Sequence, residues 1–309
     1  MLYKKNVKYF SIILLLFLTA CSSISAVRDE KQAIEIVDGY GRGASIDIPV
    51  DRIVSLAPAN TEILFAIGAG DKVVGRDEFS NYPEEAVEIP SVGGPYTDIS
   101  TETILSLEPD LVIGSELTPP EQIQAFEEMG LTVFVLANPL DIKDIYNNIR
   151  LLSEFVGMEE EAEALIMDMQ DRISEVEALV NSVEERPLVF YELDGTDPNA
   201  PWTAGPGSYI DTLISMAGGI NVGSEFDQPW VQLSAEEIIA QNPEVILLGD
   251  SIFGVTVEDV ISRPGWDNLN AVLEDRVYPF NDDLVSRPGP RVVEGLEKLV
   301  RLIHPELFE

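Results

Sequence analysis

Ser100-Thr-Glu-Thr-Ile-Leu-Ser-Leu-Glu-Pro-Asp-Leu-Val-Ile-Gly114 has a second version in the same chain, Ser234-Ala-Glu-Glu-Ile-Ile-Ala-Gln-Asn-Pro-Glu-Val-Ile-Leu-Leu-Gly249. In both copies the first Ser is followed two residues later by Glu, nine residues later by Pro, and then by a short apolar run ending at Gly. The Ser suits a helix N-cap, the Glu suits the positive end of the helix dipole, and the Pro ends the helix. The apolar run suits a strand covered on both faces. Each copy therefore predicts helix, turn and buried strand, and the duplication predicts two similar lobes.

Strand and helix patterns alternate around both copies. In chain order, further candidates lie at 52–57, 58–67, 73–75, 120–129, 131–136, 142–156, 188–192, 276–280 and 291–304. Such alternation is typical of α/β lobes built on parallel sheets. The fold class predicted from the sequence is therefore α/β.

The segment 159–184 carries an apolar stripe with helical spacing, and neither Gly nor Pro interrupts it. The stripe consists of Ala162, Leu165, Ile166, Met169, Ile173, Val176, Val180 and Val183. A single helix of this length would extend for roughly 40 Å. An ordinary amphipathic core helix would show the same stripe, but the position between the two copies favours a rigid helix that joins two lobes.

These patterns predict a division of the chain into five parts. They are a signal peptide at 1–20, a tether and hairpin at 21–49, an N-terminal lobe at 50–157, a connecting helix at 158–186 and a C-terminal lobe at 187–309.

The N-terminus combines a basic segment, a short apolar segment at 11–17 and the sequence Leu18-Thr-Ala-Cys21. This combination resembles a bacterial lipoprotein signal, in which Cys21 becomes the lipidated first residue of the mature protein. A membrane-spanning helix is the alternative, but the apolar run falls short of the ~20 residues that a bilayer requires. We expect a lipid anchor at Cys21 on the outer face of the cell membrane, and no internal disulfide, because the chain contains one cysteine.

The chain is strongly acidic, with a formal net charge of −36 over 309 residues. Such a charge repels nucleic-acid phosphates, and we therefore predict no nucleic-acid partner. A solvated acidic surface explains the charge. A calcium-loaded shell is the alternative, but no Asp-rich loop with EF-hand spacing is present in the sequence.

Residues for covalent or metal chemistry are scarce. His304 is the only histidine, and we expect it on the surface of the last helical turn. A single imidazole leaves no His-based metal site and no histidine base for a Ser or Cys nucleophile. Paired carboxylates keep a hydrolase or lyase open as a second hypothesis, but no pair stands out among 55 acids. The sequence thus favours a binding protein without a cofactor over an enzyme.

Several motifs in order resemble one known family. Ser55-Leu-Ala-Pro-Ala-Asn-Thr-Glu-Ile-Leu64, Arg263-Pro-Gly-Trp-Asp-Asn-Leu-Asn-Ala-Val272 and Arg276-Val-Tyr278, together with the two copies and the connecting helix, resemble the helical-backbone solute-binding proteins of ABC importers. These are receptors for cobalamin, ferric siderophores and haem. The resemblance implies two α/β lobes bridged by one long helix, a ligand cleft between the lobes, and a monomer that delivers its ligand to a permease and its ATPase.

The resemblance also implies a role for one acid in each copy. In this family a Glu near the start of such a helix pairs with permease arginines, and the matching residues are Glu102 and Glu236. The alternative interpretation is a helix N-terminal acid that stabilises only its own helix.

Within the family the chain is most similar to cobalamin binders. Phe79-Ser-Asn-Tyr-Pro83 and Gln228-Pro-Trp-Val-Gln-Leu-Ser234 match segments that line a corrinoid site there. The implied ligand-binding residues are Phe79, Tyr96, Trp230, Asp283 and Arg287. Aromatic rings would pack on the faces of the corrin, while the charged pair would bind its periphery. Gly93-Gly-Pro95 stands where the family has an aromatic residue, and Tyr96 is the substitute proposed for it. Core packing is the alternative role for the aromatic residues.

Two other ligands remain open. A ferric siderophore, often anionic, would use Arg76, Arg287 and Arg291. Haem would need an axial ligand such as Tyr82, Tyr96 or Tyr209.

Overall fold

The computed structural model describes residues 31–94 and 97–308. Its strands are β1 (Gln32–Val37), β2 (Gly43–Ile48), β3 (Ile53–Ser55), β4 (Val73–Arg76), β5 (Leu111–Ser115), β6 (Val133–Leu136), β7 (Leu188–Glu192), β8 (Trp202–Ala204), β9 (Ile220–Asn221), β10 (Trp230–Gln232), β11 (Val245–Leu248) and β12 (Val277–Pro279). Its helices are α1 (Pro58–Ala66), α2 (Thr101–Ser106), α3 (Pro120–Glu128), α4 (Ile142–Val156), α5 (Glu159–Val180), α6 (Tyr209–Met216), α7 (Ala235–Gln241), α8 (Val257–Ile261), α9 (Asn270–Leu273), α10 (Asp283–Ser286) and α11 (Val292–Ile303). Within these ranges no helix is long and apolar enough to cross a membrane.

Two four-stranded sheets form the frame of the molecule. The first has the strand order β4-β3-β5-β6 and the second the order β12-β11-β7-β9, and neighbouring strands are parallel throughout. The predicted α/β class with two parallel-sheet lobes is therefore confirmed. The strands β1 and β2 form an antiparallel hairpin, and β8 pairs with β10 in a second antiparallel ribbon that the sequence did not predict.

The two sequence copies adopt the same local structure. The hydroxyl oxygens of Ser100 and Ser234 cap α2 and α7 by accepting the backbone N–H three residues later, at 3.1 and 3.2 Å. Each helix is followed by a residue with positive φ, Glu108 at 46° and Asn242 at 52°. This left-handed conformation redirects the chain into the Pro and then into the central strand, β5 or β11. The two copies thus share a left-handed backbone conformation, although the residues that adopt it, Glu108 and Asn242, differ in type.

Each sheet buries both faces, which explains the uninterrupted apolar runs. In β5, Leu111 and Ile113 join a core shared by both lobes, whereas Val112 faces a separate cluster under α3. In β11, Leu247 joins the shared core and Ile246 a cluster around Trp266. The shared core also contains α1, α4, α5, α6 and α11 residues, so one continuous apolar layer links the lobes.

Helix α5 connects the two sheets, as predicted, and packs between α4 and α11. It ends at Val180 rather than residue 184, which makes it about 33 Å long. Its last turn tightens, because the amides of Ser182 and Val183 bond to the carbonyls of Leu179 and Val180 three residues back. A bidentate pair between Arg172 and Glu297, with N–O distances of 2.7 and 2.9 Å, fastens α5 to α11.

The expectation that His304 lies on the surface was wrong, because its side chain is 1% exposed. Its Nδ1 lies 3.0 Å from a Glu306 carboxylate oxygen and its Nε2 lies 3.3 Å from the Gly218 carbonyl. Gly218 has a φ of 81°, and a Cβ there would lie 2.8 Å from Nε2. A glycine at the end of α6 therefore lets the imidazole pack closely.

Candidate functional site

A cleft of about 370 Å³ opens at the carboxyl ends of strands from both sheets. Ligands of open parallel sheets bind at this edge, because loops converge there on a rigid frame. The first lobe contributes residues 56–60 after β3, 77 and 79 after β4, 115, 117 and 118 at the end of β5, and 136–139 at the end of β6. The second lobe contributes residues 252 and 253 after β11, and 282, 283 and 286–288 after β12.

Asp77 organises the loop that carries Phe79. Its side chain is almost wholly buried, and it accepts hydrogen bonds from the Phe79 amide, at 2.8 Å, and from the Ser80 hydroxyl. The Ser80 oxygen continues a chain of hydroxyls through Thr61, at 2.9 Å, to Ser55 at 2.8 Å. Burial raises the pKa of Asp77 above its ordinary value. The half-buried Phe79 ring is thus held on the cleft wall by a fixed backbone.

The opposite wall carries the predicted pair Asp283 and Arg287, which lie 2.8 Å apart. Arg287 also donates to Asn81 of the first lobe at 2.8 Å. Next to them, Asp282 accepts from the Tyr191 hydroxyl at 2.6 Å, and burial raises the Asp282 pKa. The structure therefore brings Phe79, Asp283 and Arg287 together in one cleft, and their role in ligand binding stays a prediction.

Trp230 lies elsewhere. The sequence placed it in a loop, which was wrong: it begins β10 and pairs with Ala204 of β8. Its side chain is 46% exposed, and it does not line the cleft. Tyr96 and Cys21 lie outside the described residues, so their assignments stay predictions.

The residues suggested for other ligands are mostly occupied by structural contacts. Arg76 is buried and donates to the carbonyls of Asp77 and Val87. Arg291 binds Glu62 and stacks on the ring of Tyr82, with 3.9 Å between the guanidinium carbon and the ring centroid. The hydroxyl of Tyr209 is buried in α6. Arg76, Arg291, Tyr82 and Tyr209 do not line the cleft. Among the arginines suggested for a siderophore, Arg287 lines it.

Sequence reasoning missed several cleft residues. Asp77, Asp282, Ile252 and the 80% exposed ring of Phe253 all line it, and Asn60 fixes its floor by donating to the Gly114 carbonyl at 3.1 Å. Each follows a predicted strand or its turn, so the rule that ligands bind at the carboxyl ends of strands could have found them. In the described ranges, no three His, Cys, Asp or Glu side chains are grouped to hold a metal ion.

Glu102 and Glu236 occupy the same position in two helices. Each is the second residue of its helix, α2 in the first lobe and α7 in the second, and each is exposed. Glu237, next to Glu236, is instead used in a capping box with Ser234, at 2.8 Å from its amide. The geometry therefore leaves one carboxylate per lobe facing solvent at matching places.

A buried ionic cluster lies in the second lobe at the carboxyl ends of β7 and β11. Arg263 makes a two-point contact with Glu192, with one N–O distance of 2.8 Å, and lies over the Trp266 ring at 4.6 Å. Asp250 accepts from the Gly195 amide at 2.8 Å. Burial, reinforced by the charge of Glu192, raises the pKa of Asp250 to about 6.

The raised pKa of Asp250 predicts a pH effect on stability. Between about pH 4 and pH 6, Asp250 keeps a proton in the folded state that it loses on unfolding, so the unfolding free energy falls as the pH rises. In Asp250→Asn, the amide oxygen can still accept from the Gly195 amide, and the side chain carries no charge. Across that pH range the unfolding free energy of the wild type should fall by about 2 kcal/mol because of Asp250, and this contribution should be absent in Asp250→Asn. Urea unfolding at each pH measures the difference. The control is Asp171→Asn on the exposed side of α5. If the unfolding free energies of wild type and Asp250→Asn change with pH in parallel, the raised pKa of Asp250 is contradicted.

The fold and the site together define a ligand-binding protein rather than an enzyme: two lobes, a connecting helix, and a cleft with aromatic and charged walls. The chain belongs to the periplasmic binding protein family, whose model matches residues 53–284.

Individual relatives agree with this membership. The Bacillus subtilis (strain 168) "Uncharacterized ABC transporter substrate-binding lipoprotein YvrC" is 30% identical over 320 residues, covering 99% of each chain. A vitamin B12-binding protein of Vibrio cholerae is 30% identical over 253 residues, covering 81% of this chain and 88% of its own. Among solved structures, the apo form of the periplasmic heme-binding protein RhuT from Roseiflexus sp. RS-1 has a TM-score of 0.75 and 31% identity, with 83% of this chain and 99% of that chain covered. The vitamin B12-binding protein BtuF of Vibrio cholerae has a TM-score of 0.70 and 28% identity, with 84% and 99% covered.

Proposed function

We propose that this chain is the extracytoplasmic substrate-binding lipoprotein of an ABC importer, and that it captures a corrinoid such as cobalamin and delivers it to a permease and its ATPase. Membership in the binding-protein family supports the first half, together with a relative named as a substrate-binding lipoprotein of an ABC transporter. Cys21 is the proposed lipid attachment site, and the protein is proposed to act as a monomer on the outer face of the membrane.

The observation that favours a corrinoid is the charge of the cleft. Among the described lining residues, the ionisable groups are three carboxylates, on Asp77, Asp282 and Asp283, and one guanidinium, on Arg287. Carboxylates accept hydrogen bonds from amide arms such as those at the periphery of a corrin, while Phe79 and Phe253 offer apolar surface to its flat body. An anionic ferric siderophore would meet net repulsion there.

Haem is the second candidate, because RhuT is a heme-binding protein and shares the fold closely. Haem iron needs a protein ligand such as Tyr or His, and haem propionates need cations. In the described part of the cleft lining there is neither Tyr nor His, and its cation is already paired with Asp283. The geometry thus supports haem less well than a corrinoid, and Tyr96 is the residue through which haem would have to bind.

We also propose that Glu102 and Glu236 are the permease-docking residues. Two exposed carboxylates, one per lobe, can bind two sets of permease cations only when the lobes have the correct separation. Their positions at matching helix starts support this role.

The absorbance spectrum of the protein purified from its native cells tests the ligand class. Corrinoid, haem and ferric catecholate differ in their visible absorbance bands, so the spectrum identifies the class of the bound molecule. We expect corrinoid bands in the purified protein. A haem Soret band, or the broad band of a ferric siderophore, would assign the cleft to that ligand instead.

A further inference from the structure

Two arginines of the second lobe converge on one buried carboxylate of the first. Glu62, on α1, has a side chain that is 2% exposed. Arg291 binds it in a bidentate manner, with Nε 2.9 Å from Oε2 and Nη2 2.6 Å from Oε1. Nη1 of Arg287 lies 3.5 Å from the same Oε1. All these contacts cross from one lobe to the other.

The two arginines face different spaces. Arg287 lines the ligand cleft, whereas Arg291 and Glu62 line a separate groove of about 660 Å³ that also includes Tyr82 and the α5 residue Met169. Glu62 therefore lies in the partition between the cleft and this groove, where it can affect the cleft without lining it.

The remaining bonds of Arg287 complete its restraint. Its Nη2 binds Asp283 and its Nη1 donates to Asn81, both at 2.8 Å. A guanidinium is planar and has fixed donor directions, so three partners on two lobes define its orientation. Glu62 is the most deeply buried of the three, and loss of its charge would leave two guanidiniums to repel each other in a poorly solvated place.

We propose that Glu62 is a positioning residue for ligand binding: by neutralising and holding the Arg287–Arg291 pair across the lobes, it sets the orientation of Arg287 in the cleft and the closeness of the two walls. The choice of cyanocobalamin as a test ligand rests on the proposed function, whereas the contacts of Glu62 do not depend on it.

The first test needs no ligand. Hydrogen exchange of backbone amides in residues 283–291 is measured by mass spectrometry on the full-length protein in detergent. Glu62→Gln is expected to speed this exchange about tenfold, because the segment loses its anchor. Glu297→Gln, which removes the bidentate partner of Arg172 away from the cleft, should change it less than about twofold. Equal exchange in Glu62→Gln and wild type would overturn the proposal.

The second test is a double-mutant cycle in the Kd for cyanocobalamin. Glu62→Gln should raise the Kd about tenfold, and it should add nothing in an Arg287→Ala background, because it acts through Arg287. A purely structural role would give additive losses, and that result would overturn the proposal. If Glu62→Gln does not fold, Arg291→Lys replaces it in both tests, because the ammonium of Lys cannot form the two-point contact with Glu62. A smaller change in the same direction would support the proposal, and no change would overturn it. Wild type that fails to bind cyanocobalamin, with the exchange result intact, would reject the corrinoid and leave the role of Glu62 standing.

Discussion

Cells that carry Glu102→Ala together with Glu236→Ala are expected to take up the ligand about 10- to 100-fold more slowly, while the purified variant binds it with unchanged affinity. Both carboxylates are exposed at the starts of α2 and α7, and neither lines the cleft, so their removal does not alter the cleft lining. Docking to permease cations would lose its charge partner on both lobes. Uptake of labelled ligand and calorimetric titration measure the two quantities.

The chain offers a closely matched control. Glu121 in α3 and Glu258 in α8 are also exposed acids at the second position of a helix, one in each lobe. Glu121→Ala with Glu258→Ala removes the same charge and the same helix-dipole interaction. Uptake should remain near wild type in this control. Equal uptake by both double variants would remove Glu102 and Glu236 as docking residues.

The largest stability effect is expected at the buried pair of Glu192 and Arg263. Arg263→Met leaves the carboxylate of Glu192 buried beside Asp250 without a cation, which should cost about 3–5 kcal/mol of unfolding free energy. Replacing Glu192 and Arg263 together by Met should cost much less, because neither charge is then left alone. Urea unfolding of the single and double variants measures the difference.

An exposed pair provides the comparison for this prediction. Arg150 binds Glu163 in an equally bidentate way, at 2.6 and 3.2 Å, but both side chains are about half exposed. Water screens such a pair, so Arg150→Met should change stability far less than Arg263→Met. If the two single variants lose the same stability, burial does not control the strength of these pairs in this protein.

The fold was largely predictable because its signals are local. The Ser caps, the Pro after each helix and the aliphatic runs of β5 and β11 are specified within about fifteen residues. The stripe of α5 likewise appears in one segment, although the pattern could not show that the helix ends at Val180. The β8–β10 ribbon was missed because Trp202 and Gln232 pair across 30 residues, and no short pattern reports such pairing.

The site was only partly predictable, since contacts between distant segments define it. Asp283 and Arg287 were found through the family motif, but the partner of Arg291 is Glu62, which is 229 positions away. Local reasoning treated Glu62 as one residue of a helix start. Trp230 shows the opposite case: an aromatic residue in a matching motif lies outside the described cleft lining, and its role in ligand binding stays a prediction. Long-range pairing and the relative position of the lobes decide both cases.

Calorimetric titration of the full-length protein with cyanocobalamin tests the central claim most directly. We predict saturable binding by one ligand per chain, and markedly weaker binding by Asp283→Ala, because that carboxylate lines the cleft and holds Arg287. Haemin and a ferric siderophore, titrated in parallel, should bind more weakly than cyanocobalamin. Absence of both heat and thermal shift with cyanocobalamin at high micromolar concentration would contradict the assignment of this cleft to a corrinoid.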